Sequence, residues 1–112
     1  MKPFVFVFRQ SGPPPAGEQA QRRSEEVRAW ALELRDQGHK LQPHILGEQS
    51  YFATANGNTR TAAGDTVTAV LIVDFSSLDE AKAAAEAHPG LRYGASVEVR
   101  EAFPPAGAAQ AQ

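Results

Sequence analysis

The sequence FVFVF at residues 4–8 contains only phenylalanine and valine, two residues with a high propensity for β-strands. Alternate side chains of a strand point to opposite faces, so the three phenylalanines share one face and the two valines share the other. Both faces are therefore apolar. A strand of this kind is typical of the middle of a sheet that is covered on both sides.

The segment TVTAVLIVDF, Thr66–Phe75, is the longest predicted strand and has the same property. Five apolar side chains share one of its faces: Val67, Ala69, Leu71, Val73 and Phe75. The opposite face carries Val70 and Ile72. This strand is also expected in the middle of the sheet, again with apolar residues on both sides.

Two helices are predicted, one at residues 18–37 and one at residues 78–88. Apolar residues at helical spacing form a stripe along the first helix: Val27, Trp30, Ala31 and Leu34. Gly38 ends this helix, because glycine readily adopts the left-handed conformation of a helix C-terminus. Ser77 and Glu80 form a capping box at the start of the second helix. His88, at its end, is expected to interact with the helix dipole.

Three further strands are predicted at residues 40–46, 49–55 and 95–103, with loops at residues 11–17 and 56–65. The element order β-α-β-β-β-α-β predicts an α+β fold, a ferredoxin-like antiparallel sheet with both helices on one face. Residues 1–103 form one domain, and residues 104–112 form a flexible C-terminal tail. Because two helices cover only one face of the sheet, we predict a homodimer through the uncovered sheet faces, with a cavity between them.

The composition excludes several classes of function. The chain has 112 residues, no cysteine and a formal net charge of −2. Disulfides and cysteine-ligated metals are therefore excluded, and the eleven Lys and Arg residues are scattered among thirteen acids, unlike those of a nucleic-acid-binding protein. No segment is long enough to span a membrane, and the apolar start is too short for a signal peptide. We expect a cytoplasmic protein.

His44 is the best candidate for a catalytic residue, because an imidazole can accept a proton near neutral pH. The alternative is a partly exposed strand histidine with no catalytic role. His39 lies five residues earlier, so the two side chains are expected on opposite faces and do not share a metal. No spacing of His, Asp and Glu favours a metal site, and no cofactor is expected.

Four other residues are ligand-binding candidates. Glu98 and Arg100 share a strand face that is predicted to point into the dimer cavity, where they can orient a polar ligand or instead form an ion pair at the dimer rim. Arg9, at the end of the first strand, either binds an anion or is solvated. Tyr51 alternates with Phe52 along a strand, so one of the two is expected to face inward.

Several segments together resemble one family. They are the opening strand that ends in Arg9, the helix that contains Trp30, VDFSSLDEAK at residues 73–82, His88-Pro89, and YGASVEVR at residues 93–100. Over nearly all of residues 1–103 the chain resembles the YCII-related proteins, also called the DGPF family.

The resemblance implies a ferredoxin-like chain that dimerises through its sheets into an α+β barrel. It also implies, for some members, a catalytic histidine in the first helix. This chain has no histidine between residues 18 and 38, and it has Gly64-Asp65-Thr66 in place of the family's Asp-Gly-Pro-Phe motif.

Three hypotheses of function follow. The first is a homodimer that binds a small organic molecule in the barrel cavity. The second is a cofactor-independent enzyme, such as a lyase, isomerase or monooxygenase, with His44 as the base. The third is a regulatory protein-interaction module.

Overall fold

The computed structural model describes residues 1–60 and 66–105. Their elements follow one another along the chain as β1 (Lys2–Gln10), α1 (Glu18–Asp36), β2 (Leu41–Ile45), β3 (Tyr51–Thr54), β4 (Gly57–Arg60), β5 (Thr66–Phe75), α2 (Leu78–Glu86), a 3₁₀ helix (Pro89–Tyr93) and β6 (Ala95–Glu101). Neither helix in this part of the chain is long and apolar enough to cross a membrane.

Four strands form one antiparallel sheet in the order β2-β5-β1-β6. The two strands that are apolar on both faces, β1 and β5, are its central pair, as the sequence predicts. The structure thus confirms an α+β fold with a four-stranded antiparallel sheet and two helices, and it is consistent with a ferredoxin-like arrangement.

The segment after β2 differs from the prediction. Strand β3 does not join the main sheet but pairs with β4 in a separate two-stranded sheet, and β4 occupies part of the predicted loop at residues 56–65. A two-residue turn at Ala55 and Asn56, followed by Gly57 with a φ of 127°, joins the two strands, and such local pairing costs little loop entropy. Residues 61–65 of that predicted loop lie outside the described residues.

This hairpin also decides the positions of two aromatic residues. Tyr51 and Phe52 are both exposed, 65% and 53% respectively, so the expectation that one of them faces inward is wrong. A strand buries alternate side chains only where another layer lies against it, and β3 is not part of the sheet that the helices cover.

The helix ends follow their local signals. Helix α1 has nearly the predicted bounds, and Gly38 beyond its end has a φ of 97°. At the start of α2, the Ser77 side chain accepts a hydrogen bond from the Glu80 backbone N–H, as predicted. Helix α2 ends at Glu86, before the predicted residue 88, because the chain there turns into the 3₁₀ helix. Residues 106–112 of the predicted tail lie outside the described residues.

The hydrophobic core lies between the two helices and one face of the sheet. Its fully or nearly fully buried members come from both central strands and both helices: Phe4, Phe6, Leu34, Leu71, Val73, Phe75, Ala81 and Ala85. Trp30 on α1 packs against this core, and its indole N–H donates a 3.0 Å hydrogen bond to the carbonyl of Ala84 on α2. The two helices are thereby tied to each other over the same sheet face.

The opposite sheet face has no covering layer in the described part of the chain. Val5, Val7 and Val70 are only half-buried there, and Ile72 is 39% exposed. We call this surface, the side of the four-stranded sheet that the helices do not cover, the open face.

Candidate functional site

A cleft of about 810 Å³ lies on the helix side of the sheet, between the first half of α1 and the strands β2, β5 and β1. Its walls are mostly apolar: Phe8, Val27, Trp30, Ala31, Leu41 and Leu71. This volume lies in the range of small-molecule binding pockets, which are also mainly apolar with a few polar groups.

The position of α1 explains why the cleft exists. Glu26 in its first half accepts a 2.8 Å hydrogen bond from the Tyr93 hydroxyl and forms a 2.9 Å ion pair with Arg92, both in the 3₁₀ helix. These bonds and the hydrogen bond from Trp30 to Ala84 hold α1 toward the 3₁₀ helix and α2. The sheet surface near β2 is left partly uncovered. The donors to Glu26 also hold the pKa of that half-buried carboxyl below its usual value.

His88 lies in the lining of the cleft and is only 8% exposed. Its ring centroid is 4.8 Å from that of Phe8 and 4.7 Å from that of Trp30. Nδ1 accepts a 3.0 Å hydrogen bond from the Gly90 backbone N–H, which caps the 3₁₀ helix. Gly90 has to be glycine here, because a Cβ would lie 2.8 Å from Cε1 of His88.

Burial lowers the pKa of His88 to about 4, and the positive charge of Arg23 contributes to this shift. The ring is therefore neutral at pH 7, with its proton on Nε2 because Nδ1 acts as an acceptor. This corrects the expectation that His88 interacts with a helix dipole, since the ring carries no charge and instead caps the next helix. No fully buried side-chain nitrogen or oxygen of the described residues lacks a partner, so the unbonded Nε2–H of His88 keeps some solvent exposure, and the residue lines the cleft.

Two arginines and one acid contribute charge to the lining of the cleft. Arg23 is half-buried, whereas Arg28 and Glu48 are exposed. Within residues 1–60 and 66–105, Arg23 forms no ion pair. Its positive charge helps to lower the pKa of the His88 ring, and both residues line the cleft. Arg23 and the Nε2–H of His88 therefore provide hydrogen-bond donors in the same region of an apolar cleft.

The residues that the sequence singled out as candidates lie elsewhere, mainly on the open face. His44, Val70, Val7 and Glu98 are paired in register and form one row across the four strands. His44 and Glu98 are on the two edge strands of this row, about 14 Å apart at three strand spacings. They do not act on one small group within a single chain.

Glu98 is held in an ion-pair cluster with two arginines. Its carboxylate is 2.7 Å from Arg9 and 3.8 Å from Arg100. Arg9 is therefore paired rather than simply solvated. Val97 and Val99 pack against the core, as predicted, which turns Glu98 and Arg100 to the open face. Tyr51 is exposed on the β3–β4 hairpin, away from this cluster in the pairing of the strands.

His39 has a structural role between the helices and the sheet. Its Nδ1 donates a 2.8 Å hydrogen bond to the backbone carbonyl of Asp74, and its Nε2 lies 3.4 Å from a carboxylate oxygen of Glu80. It is buried, whereas His44 is exposed on the other side of the sheet, so the two do not share a site. No group of three or more His, Asp and Glu side chains in the described residues is placed to hold a metal ion.

Sequence reasoning missed His88 and Arg23 as site residues. The His-Pro-Gly sequence at residues 88–90 carries a partial signal, because a histidine followed by Pro-Gly can cap a new turn and pack against a residue without a side chain. Arg23 carries none, since it is one of several arginines on a polar helix surface.

No protein-family model matches this chain, and no curated protein matches it. The resemblance to the YCII-related proteins therefore stays a prediction, and the geometry of the cleft is the basis for a proposal of function.

Proposed function

We propose that this chain is a cytoplasmic, homodimeric YCII-like protein that binds a small organic molecule in the cleft between α1 and the sheet, without a dedicated cofactor. The observation that carries the proposal is the cleft itself, with its volume of about 810 Å³, its aromatic and aliphatic walls and the accessible Nε2–H of His88. This site is on the helix side of the sheet rather than between two sheets, where the sequence had placed it.

The protonation of His88 favours binding over acid–base catalysis. With a pKa of about 4, the ring is neutral at pH 7 and is a weak base. It donates a hydrogen bond from Nε2 to a bound acceptor. His44, the sequence-based candidate for a catalytic base, is exposed on the open face and does not line the cleft.

The dimer in this proposal forms through the open face, as an α+β barrel. Four aliphatic side chains form the centre of the face, on the two central strands, and polar groups lie on the edge strands. An apolar centre with a polar rim is the usual anatomy of a protein interface. Glu98 is already balanced by Arg9 and Arg100 within the same chain, so a second copy can cover the face without a partner of opposite charge.

The second candidate, an interaction module, is favoured by the β3–β4 hairpin. Its exposed Tyr51 and Phe52 are the type of aromatic side chains that anchor protein interfaces.

The ligand site is tested with naphthylmethanol, a neutral aromatic probe that the cleft is large enough to hold. Trp30 is the only tryptophan of the chain and lines the cleft, so its indole N–H resonance reports binding by nuclear magnetic resonance. We expect a saturable shift of this resonance in the native protein.

Two matched variants locate the probe. Ala31→Phe fills the cleft from α1 and is expected to weaken binding about tenfold or more, whereas Ala29→Phe, on the exposed side of the same helix, leaves binding unchanged. Equal binding by both variants, or no binding by the native protein, would refute the proposed ligand site.

The dimer is tested by light scattering. We expect twice the 12.0 kDa mass of the chain. Ile72→Glu places a charge in the centre of the open face and is expected to give the monomer mass, while Ala83→Glu on the exposed side of α2 leaves the dimer intact. A monomeric native protein, or a dimer that tolerates Ile72→Glu, would contradict dimerisation through this face.

A further inference from the structure

We propose that the ligand of the cleft is an apolar molecule that carries one carboxylate, held by Arg23 and by the Nε2–H of His88. This inference rests on the proposed ligand site and names the chemical class that the site selects.

The first argument is the state of Arg23. Its side chain is half-buried in the wall of the cleft and forms no ion pair within the part of the chain that the structure describes. A guanidinium that has lost part of its hydration and lacks a carboxylate partner is an anion-binding group, and its planar fork matches a carboxylate with two parallel hydrogen bonds.

The second argument is the neutral state of His88. Because Nδ1 is occupied by the Gly90 N–H, only Nε2 is available to a ligand, and it is a donor. Two donors in one region of the cleft fit the two oxygens of a carboxylate. They do not fit an ammonium group, which has no acceptor sites and is repelled by Arg23.

The third argument is the distribution of charge and apolar surface in the lining. Arg23 and Arg28 give the lining two positive charges against the single negative charge of Glu48, which is exposed. The remaining wall is aromatic and aliphatic, with Phe8 and Trp30 beside His88. A flat apolar body is therefore expected to pack against these rings while its acid group lies at Arg23.

The test compares naphthoate with naphthylmethanol, which share the same rings and differ in charge. Binding is followed through the Trp30 indole resonance at pH 7. We expect the native protein to bind naphthoate about tenfold more tightly than the alcohol or better. Arg23→Gln should reduce this preference to about onefold.

Two further variants serve as controls. Arg22→Gln removes the same charge from the neighbouring exposed position, which does not line the cleft, and should keep the preference for naphthoate. Arg23→Lys keeps the charge but loses the planar fork, so an intermediate preference is expected.

The outcomes separate this inference from the proposed function. If both probes bind equally well in the cleft of the native protein, the carboxylate inference fails and the proposed ligand site stands. If the preference survives in Arg23→Gln, or disappears equally in Arg22→Gln, Arg23 is not the anion-binding group and the inference is overturned. If neither probe shifts the Trp30 resonance, both fail.

Discussion

Acidification of the protein from pH 7 to pH 4 is expected to remove about 3 kcal/mol of folding stability through His88 alone. The pKa of this residue is about 4 in the folded chain and 6.5 in an ordinary, solvated imidazole. Between these two values the unfolded chain binds a proton that the folded chain excludes, so the free energy of unfolding falls as the pH falls. The difference of about 2.5 pKa units corresponds to about 3 kcal/mol. This contribution is fully present above pH 6.5 and is lost on approach to pH 4.

The measurement is urea denaturation at several pH values between 7 and 4, followed by the fluorescence of Trp30. His88→Asn is the diagnostic variant, because an asparagine side chain can still accept the hydrogen bond from the Gly90 N–H but does not titrate. The variant loses the ring contacts with Phe8 and Trp30, and we expect it to be about 1–2 kcal/mol less stable at pH 7. Its stability should then fall less steeply with acidification than that of the native protein.

Two comparisons isolate the effect of His88. Glu26, whose carboxyl pKa is lowered in the folded chain, also loses its contribution in acid, but it does so equally in the native protein and in His88→Asn. His44→Asn, on the open face, is the matched control for replacing a histidine by asparagine at an exposed position. Parallel pH curves for the native protein and His88→Asn would refute the assignment of a buried, neutral His88.

Three other perturbations test the packing and the charges. Phe6→Ala empties a fully buried position and should lower the free energy of unfolding, measured by urea denaturation, by about 3–5 kcal/mol. Phe52→Ala on the exposed hairpin should change it by less than about 0.5 kcal/mol. Similar losses of stability in the two variants would disprove the core assignment. Gly94→Ala places a Cβ 2.8 Å from a neighbouring side chain at a φ of 88°. It should lower folding stability by about 1 kcal/mol more than Gly12→Ala, because Gly12 has a similar φ but open space around it. Equal melting temperatures of the two variants would contradict this prediction. Glu98→Gln breaks a partly exposed ion-pair cluster and should lower the free energy of unfolding by less than about 1 kcal/mol, with a smaller effect at high salt. A larger loss of stability that does not depend on salt would contradict this weak contribution of the cluster.

The sequence by itself determined the two α-helices and the faces of the two central strands. The alternation in FVFVF and in Thr66–Phe75 shows which side chains share a face, because the period of a strand is a local property of the backbone. Helix caps depend on equally local contacts, so Ser77 predicted the start of α2 and Gly38 predicted the end of α1. The open face and the position of Glu98 and Arg100 on it follow from the same periodicity.

Only the tertiary structure decided the site. The cleft exists because α1 is held toward the 3₁₀ helix and α2, and no residue pattern within α1 specifies that displacement. The position of α1 brings Arg23 near His88, which is 65 positions away in the chain. The sequence had assigned His88 to the end of a helix, whereas it caps the 3₁₀ helix. The tertiary structure likewise decided the partner of β3, because a local hairpin with β4 and pairing with the four-stranded sheet were both open to this strand. Local periodicity specifies which face of an element is buried, but the distance between two elements depends on how all the side chains between them pack.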